Sequence, residues 1–370
     1  MTDSSATEVD IVVIGGGVVG LASAGALARD GRSVCLLERS PRFGQGASTH
    51  NSGVIHAGIY YPATSLKARL CVEGRHRLYH YCATHDIPHR QTGKLIVPPT
   101  DDTSALEILR QRAAANGVTL ELLDGARVRD IQPGLDDVPA LWSPGTGIVD
   151  VDAYVVALAG DARRDGAVLL ASTPLVGADV TASGGFMLTT PRERIAARLV
   201  VNAAGLFADD VSRALGGESF RIWPCRGDYA EFRRSVRQQI HVPIYPLPDP
   251  TGHGLGVHIT PTTAGSVLLG PTIRYVEDKG DFESGRLTLD DFLTAARRLL
   301  PGLRAGDLVE GGAGMRAKFH PPEESFADFV IRADREREGL IHAAGIDSPG
   351  LTASLAIAHE VARIVEDARL

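Results

Sequence analysis

The stretch Val9-Asp10-Ile11-Val12-Val13-Ile14-Gly15-Gly16-Gly17-Val18-Val19-Gly20-Leu21 decides the architecture. Residues 9–14 form a short run rich in β-branched side chains, which reads as a strand buried on both faces of a parallel sheet. A glycine turn follows at once. After it comes an Ala-rich segment with Leu21, Ala24, Leu27 and Ala28 on one helical face and Gly31 as its stop. Residues 33–37 read as a second strand, ending at Glu38. The whole is a βαβ unit of about 30 residues.

Gly15-x-Gly17-x-x-Gly20 is weak evidence by itself, but its context is complete. It follows a strand and opens a helix, and an acidic residue ends the next strand 18 positions after Gly20. Gly15 permits the tight turn, Gly17 lets a pyrophosphate approach the backbone, and Gly20 lets helix pack on strand. The amides of Val18 and Val19 open the helix, whose N-terminus offers free N–H groups and partial positive charge to phosphates. Glu38 is placed to accept hydrogen bonds from ribose hydroxyls and argues against a 2′-phosphate. The motif predicts a bound dinucleotide.

Outward from this unit, 370 residues exceed what one hydrophobic core usually serves, so two domains are expected. Apolar residues are 44% and charged residues 22%, an ordinary globular composition without a disorder signature. The net charge of −7 and the lack of a basic block exclude a nucleic-acid footprint. Cys35, Cys71, Cys82 and Cys225 form no C-x-x-C pair and no zinc-spaced cluster, so no metal is expected and free buried thiols are. The first ten residues carry no signal peptide, and no apolar run approaches a membrane span; a cytoplasmic protein, at most peripheral to a membrane, is expected.

Helices are predicted over 65–86 (capped by Thr64 or Ser65), 101–116, 152–165 (capped by Asp152), 288–300 and 350–368. Strands are predicted over 92–97, 168–171, 186–190, 199–202, 227–232, 257–260, 267–269, 314–319, 329–333 and 340–344. A nicotinamide dehydrogenase usually continues with further βα units. This chain instead passes to Gly46–Gly53, a long helix and a strand-rich region, and returns to the sheet late, which favours FAD.

At these residues the sequence resembles the D-amino-acid oxidase superfamily of FAD oxidoreductases, and within it the L-2-hydroxyglutarate dehydrogenase (or oxidase) family. The resemblance lies in the run His50-Asn51-Ser52-Gly53-Val54-Ile55-His56-Ala57-Gly58-Ile59-Tyr60-Tyr61 and in Ser65-Leu66-Lys67-Ala68-Arg69-Leu70-Cys71. It continues through Gly93-Lys94-Leu95-Ile96-Val97, Tyr245-Pro246-Leu247-Pro248-Asp249-Pro250, Leu255-Gly256-Val257-His258-Ile259-Thr260, Leu268-Leu269-Gly270-Pro271 and Gly345-Ile346-Asp347-Ser348-Pro349-Gly350-Leu351-Thr352. One departure is Gly314-Met315-Arg316-Ala317-Lys318, where the family has a proline in place of Ala317.

The resemblance implies an α/β (overall α+β) fold: a Rossmann-like FAD-binding domain (1–86, 145–218 and 310–370) interleaved with a mixed-sheet substrate domain (87–144 and 219–309). It implies that Arg39, Ser48, Asn51, Ser52, Gly53, Ala203, Ala204, Gly205, Gly345, Pro349, Gly350, Leu351 and Thr352 contact the cofactor, and that Val176 reaches the adenine region. A helix starting at Gly350 would set its positive end against the flavin, where the reduced ring is negative.

Oxidation of a 2-hydroxy acid moves a hydride from C2 to the flavin and removes the hydroxyl proton. Such a site needs a cation for the carboxylate, a base for the hydroxyl and a dry wall. Arg316 is the expected carboxylate clamp, because a guanidinium meets a carboxylate with two prongs. His56, in a Gly-bracketed turn, is the expected base, and His258 the second candidate; an imidazole titrates close to working pH. His50 is expected to bond the cofactor or a loop carbonyl. A second carboxylate would need another anion site, for which Lys318, Arg274, Arg226, Lys67 and the Tyr60 hydroxyl are candidates. Alternative substrates are an amino acid or amine, as in glycine or sarcosine oxidases, or glycerol 3-phosphate. The electron acceptor (a quinone, oxygen or a protein) has no motif.

Overall fold

The computed structural model describes residues 6–29, 31–99, 103–135, 137–182, 184–248 and 255–368. Its first sheet is built on the strand Thr7–Ile14, fully buried over its last four residues. Val34–Leu37 pairs with it in parallel on one side and Arg194–Asn202 on the other. Val168–Leu170 extends the sheet beyond Val34–Leu37. Arg194–Asn202 shares its far edge between two partners. Its first half pairs with Phe186–Thr189, and its last residues pair in parallel with Leu340–Ala344.

Three helices cover this sheet because their faces carry small residues. Val18–Ala28, Val151–Arg164 and Gly350–Asp367 contribute Ala24, Ala159, Ala162, Ala353 and Ala356 to one buried cluster. The cap of Val151–Arg164 is Asp150 rather than Asp152: the Asp150 carboxylate accepts from the Ala153 amide at 2.9 Å, and Asp152 sits in the first turn. Leu66–Thr84 is capped by Ser65, whose hydroxyl accepts from the Ala68 amide. The carboxylate of Asp328, more than 260 residues away in sequence, also accepts from the amides of Leu66 and Lys67 at 2.6 and 2.9 Å. The helix expected over 101–116 spans Ser104–Ala115; residues 101 and 102 lie outside the described set.

Among the described residues the second sheet has nine strands and is antiparallel apart from the pairing of Leu95–Val97 with Ile244–Pro246. Two long strands, Trp223–Phe232 and Leu308–Lys318, pair along nearly their whole length at one edge. Most of Leu308–Lys318 falls in the stretch 310–370 that the sequence assigned to the dinucleotide-binding domain, yet all its pairing is with the second sheet. His258–Pro261 and Val267–Gly270 lie further in. Asp249 and Pro250 lie outside the described residues. The four cysteines are free and buried. Among the described residues no helix is long and apolar enough to cross a membrane.

Candidate active site

One cavity of about 1210 Å³ runs from the glycine turn to the face of the second sheet. Drug-sized ligands occupy roughly 300–1,000 Å³, so this volume holds a dinucleotide and a small substrate together. At its first end lie Gly15, Gly17, Val18, Val19 and Glu38. The backbone fixes this end. A Cβ at Gly20 would overlap the Gly15 carbonyl oxygen, which is why the helix can seat directly on the strand end. The helix carries no acidic residue in its first turn, so its positive end is left for an anion. The Glu38 carboxylate accepts from the amides of Gly16 and Ser40, each at 2.7 Å. Each carboxylate oxygen keeps a second lone pair for a ribose hydroxyl.

Arg39 lies flat over Phe207, 3.6 Å from the ring centroid, and both line the cavity. Ser48 Oγ accepts from the Val18 amide at 3.0 Å, bringing the 46–53 turn against the helix start. Asn51 spends its side chain on that turn, donating to the carbonyls of Ala47 and Ser48 and accepting from the Gly53 amide. His50 Nδ1 is 3.0 Å from the Gly46 carbonyl, the loop role expected of it. Ser52 donates to the Tyr229 hydroxyl at 3.2 Å. Ala203, Ala204, Gly205, Pro349, Gly350 and Leu351 also line the cavity. Gly53, Gly345 and Thr352 are outside the lining, and Thr352 Oγ1 accepts from the His56 amide at 2.9 Å.

Two more of the expected site residues lie outside the lining. Val176 is 60% exposed and outside the cavity lining, because its amide is tied to the Thr189 carbonyl at the start of a hairpin. Thr173, Pro174 and Leu175 line the cavity in its place. Arg274 sits on a strand edge beside Arg226 and donates to the Gly285 carbonyl, exposed and away from the cavity.

The second end carries charge on side chains. Arg316 lines the cavity, and its Nη1 donates to the Thr272 carbonyl at 3.1 Å. Gly314, two residues earlier, passes so close to the His50 carbonyl that a Cβ would overlap it. That approach sets the strand bearing Arg316 against the 46–53 turn. His258 lies on the same cavity, stacked on Tyr245 with centroids 3.7 Å apart. Its Nδ1 is 2.8 Å from the Gly256 carbonyl. A carbonyl only accepts, so Nδ1 carries the proton and Nε2 is the open acceptor. His56 presents Nε2 3.3 Å from Ser348 Oγ. Burial pushes both imidazoles down to about 3, with the Lys94 charge adding to the effect. Both are therefore neutral, proton-accepting groups at ordinary pH.

The remaining cations are largely spoken for. Lys67 and Lys318 line the cavity but share Asp347, at 2.6 and 3.4 Å. Burial alone would raise the Asp347 carboxyl, but the two ammonium groups outweigh it and hold it below the usual range. Arg226 is wholly buried and paired with Asp228 at 2.8 Å and Asp281 at 3.3 Å. It is thereby removed from the candidates for a second anion site. Sequence reasoning passed over two groups. Asp347 bridges the two lysines and offsets one of their two charges, and Lys94 is a fully buried lysine touching Tyr60. The signal for Lys94 was a lysine entering a wholly apolar strand directly after Gly93.

Residues 10–364 match the family model described as FAD dependent oxidoreductase. The chain is 35% identical to the mitochondrial L-2-hydroxyglutarate dehydrogenase of Arabidopsis thaliana, covering 96% of this chain and 83% of the relative. It is 32% identical to the human mitochondrial enzyme of the same name, covering 98% and 90%. Among solved structures, the L-α-glycerophosphate oxidase of Mycoplasma pneumoniae with FAD bound superposes with a TM-score of 0.88 at 25% identity, covering 97% of this chain and 95% of that one. Glycine oxidase of Geobacillus kaustophilus shares the fold with a TM-score of 0.83 at 23% identity, over 98% and 95%. The glycine-bounded cradle, the helix start without an acidic residue in its first turn and the cavity beyond them fit FAD, and the chain belongs to the FAD-dependent oxidoreductase family.

Proposed function

We propose that this protein oxidises an L-2-hydroxy acid, L-2-hydroxyglutarate, to its 2-oxo acid. The observation that carries this reading is one cavity in which Arg316, His56 and His258 share a wall beyond the dinucleotide cradle. When bound, FAD supplies the hydride acceptor. The protein's own residues supply the rest. Arg316 binds the C1 carboxylate through the guanidinium edge left free by Thr272. His56 takes the hydroxyl proton, Ser348 Oγ giving up its contact with Nε2 to the substrate hydroxyl when that nitrogen is the acceptor. His258, with its tautomer fixed by Gly256, is the second candidate for that proton. The apolar part of the wall, including Ile346, Leu351 and Leu247, keeps water from the reacting carbon.

We further propose that the first sheet and its helices form the FAD domain and that the second sheet, with Leu308–Lys318 at its edge, forms the substrate domain. The buried free thiols support an aqueous, reducing compartment. Several relatives are named mitochondrial, so we read the site of action as a cytoplasmic or matrix-like space. A soluble protein, oxygen or a quinone at a membrane surface would take the electrons there.

The test is an anaerobic panel. The yellow holoprotein should bleach with L-2-hydroxyglutarate and keep its colour with the D-enantiomer. Bleaching by glycine, sarcosine or glycerol 3-phosphate, with none by L-2-hydroxyglutarate, would move the assignment to another branch of the family.

A further inference from the structure

Lys94 stands where a lysine is costly. It precedes the buried strand Leu95–Val97, exchanges both backbone hydrogen bonds with Ser143, and is fully buried. Among the described residues no carboxylate pairs with it. Its ammonium instead donates to the Tyr60 hydroxyl at 3.0 Å and lies 4.7 and 4.4 Å from the ring centroids of Tyr60 and Tyr245. An uncompensated buried cation is unfavourable, and two aromatic faces offset only part of that.

The hydrogen-bond inventory says what this arrangement does. In its ammonium form Lys94 only donates, so in that form the Tyr60 oxygen accepts from it. The phenol's own O–H is then turned away from Lys94. Tyr60 lines the cavity with His56, His258 and Arg316, whereas Lys94 lies behind it. The cavity is thus offered a hydroxyl donor backed by a positive charge. Of the other cations on the lining, Lys67 and Lys318 are both drawn to the single carboxylate of Asp347, a trio that keeps one net positive charge, and Arg112 is exposed.

We propose that Tyr60 binds the second carboxylate of a dicarboxylate substrate and that Lys94 is the positioning residue that makes it selective for an anion. This rests on the 2-hydroxy acid reading above, with Arg316 holding the first carboxylate. The charge of Lys94 also disfavours protonation of His56 and His258, so one buried cation favours the anionic substrate and keeps its base neutral.

The test uses the FAD-loaded protein and two unreactive probes, glutarate and butyrate, with affinity read from the perturbation of the flavin spectrum. The wild type should prefer glutarate. Tyr60→Phe and Lys94→Met should each cut that preference by about tenfold, leave butyrate within about twofold, and show no further loss when combined, because they lie on one path. Equal weakening of both probes would overturn the assignment, as would transfer of the effect to Arg112→Met. Should Lys94→Met lose flavin or fail to fold, Tyr60→Phe decides, since it keeps the buried cation. Wild type bleached by L-2-hydroxyglutarate, with variants that keep the glutarate preference, sinks this inference alone. A wild type that is not bleached sinks the substrate reading, and this inference then stands or falls on the glutarate preference.

Discussion

The two ends of the cavity are built from different materials. The dinucleotide end is made of backbone: glycines that permit close approach, a helix start, and one carboxylate held by two amides. The substrate end is made of side chains drawn from five separated stretches, carrying His56, Lys94, His258, Arg316 and Ser348. Backbone sites tolerate little variation in position, because the geometry is covalent. Side-chain sites can be retuned one residue at a time, which suits a family whose members share a cofactor and differ in what they oxidise.

That contrast can be broken experimentally at its strong end first. Gly20→Val puts a side chain into the Gly15 carbonyl and should abolish flavin retention, seen as loss of the yellow absorbance per mole of purified chain. A fully loaded variant would mean that the helix start does not depend on this contact.

At the other end, substitutions should leave the colour and change the chemistry. His56→Asn should slow flavin reduction by ~10²-fold or more, the ordinary reach of acid–base help, and rapid mixing under anaerobiosis reads this directly. An unchanged rate would pass the role to His258. Arg316→Met should instead weaken substrate saturation by roughly 10–100-fold, the value of lost charge-assisted hydrogen bonds. Normal saturation would remove it as the clamp.

The smallest effect sharpens the comparison without substrate. Burial pushes Lys94 down to about 7 from an ordinary 10.5. Between those values the unfolded chain binds more protons than the folded one, so this residue makes stability rise with pH across that window. The cost is fully present below pH 7 and gone above 10.5. Lys94→Met should therefore melt higher than wild type at pH 7, with the gap closing towards pH 10. A gap independent of pH would show that Lys94 is not strained by burial.

The legible part of this protein follows the same division. The βαβ unit could be read because its strand, turn, helix and acid are local. The pairing of Lys67 and Lys318 through Asp347 could not be read, since those residues meet only when three distant segments fold together. Val176 and Arg274 stand outside the lining because one residue of register decides whether a strand-end side chain faces the cavity or the solvent. Asp150 displaced Asp152 as cap for a related reason: both are good N-caps, and the start of the first turn depends on where the preceding strand ends.

The order of strands in the first sheet has a consequence for how the protein comes to exist. Thr7–Ile14 leads the chain, its neighbour Arg194–Asn202 arrives midway, and Leu340–Ala344 with Gly350–Asp367 comes last. The cofactor wall is therefore unfinished until Leu340–Ala344 and Gly350–Asp367 have left the ribosome. Until then the apolar faces of the first strands and helices wait without cover, exposed to unwanted association. FAD capture waits for Gly350–Asp367, and loss of that helix is expected to remove the colour as surely as loss of Gly15.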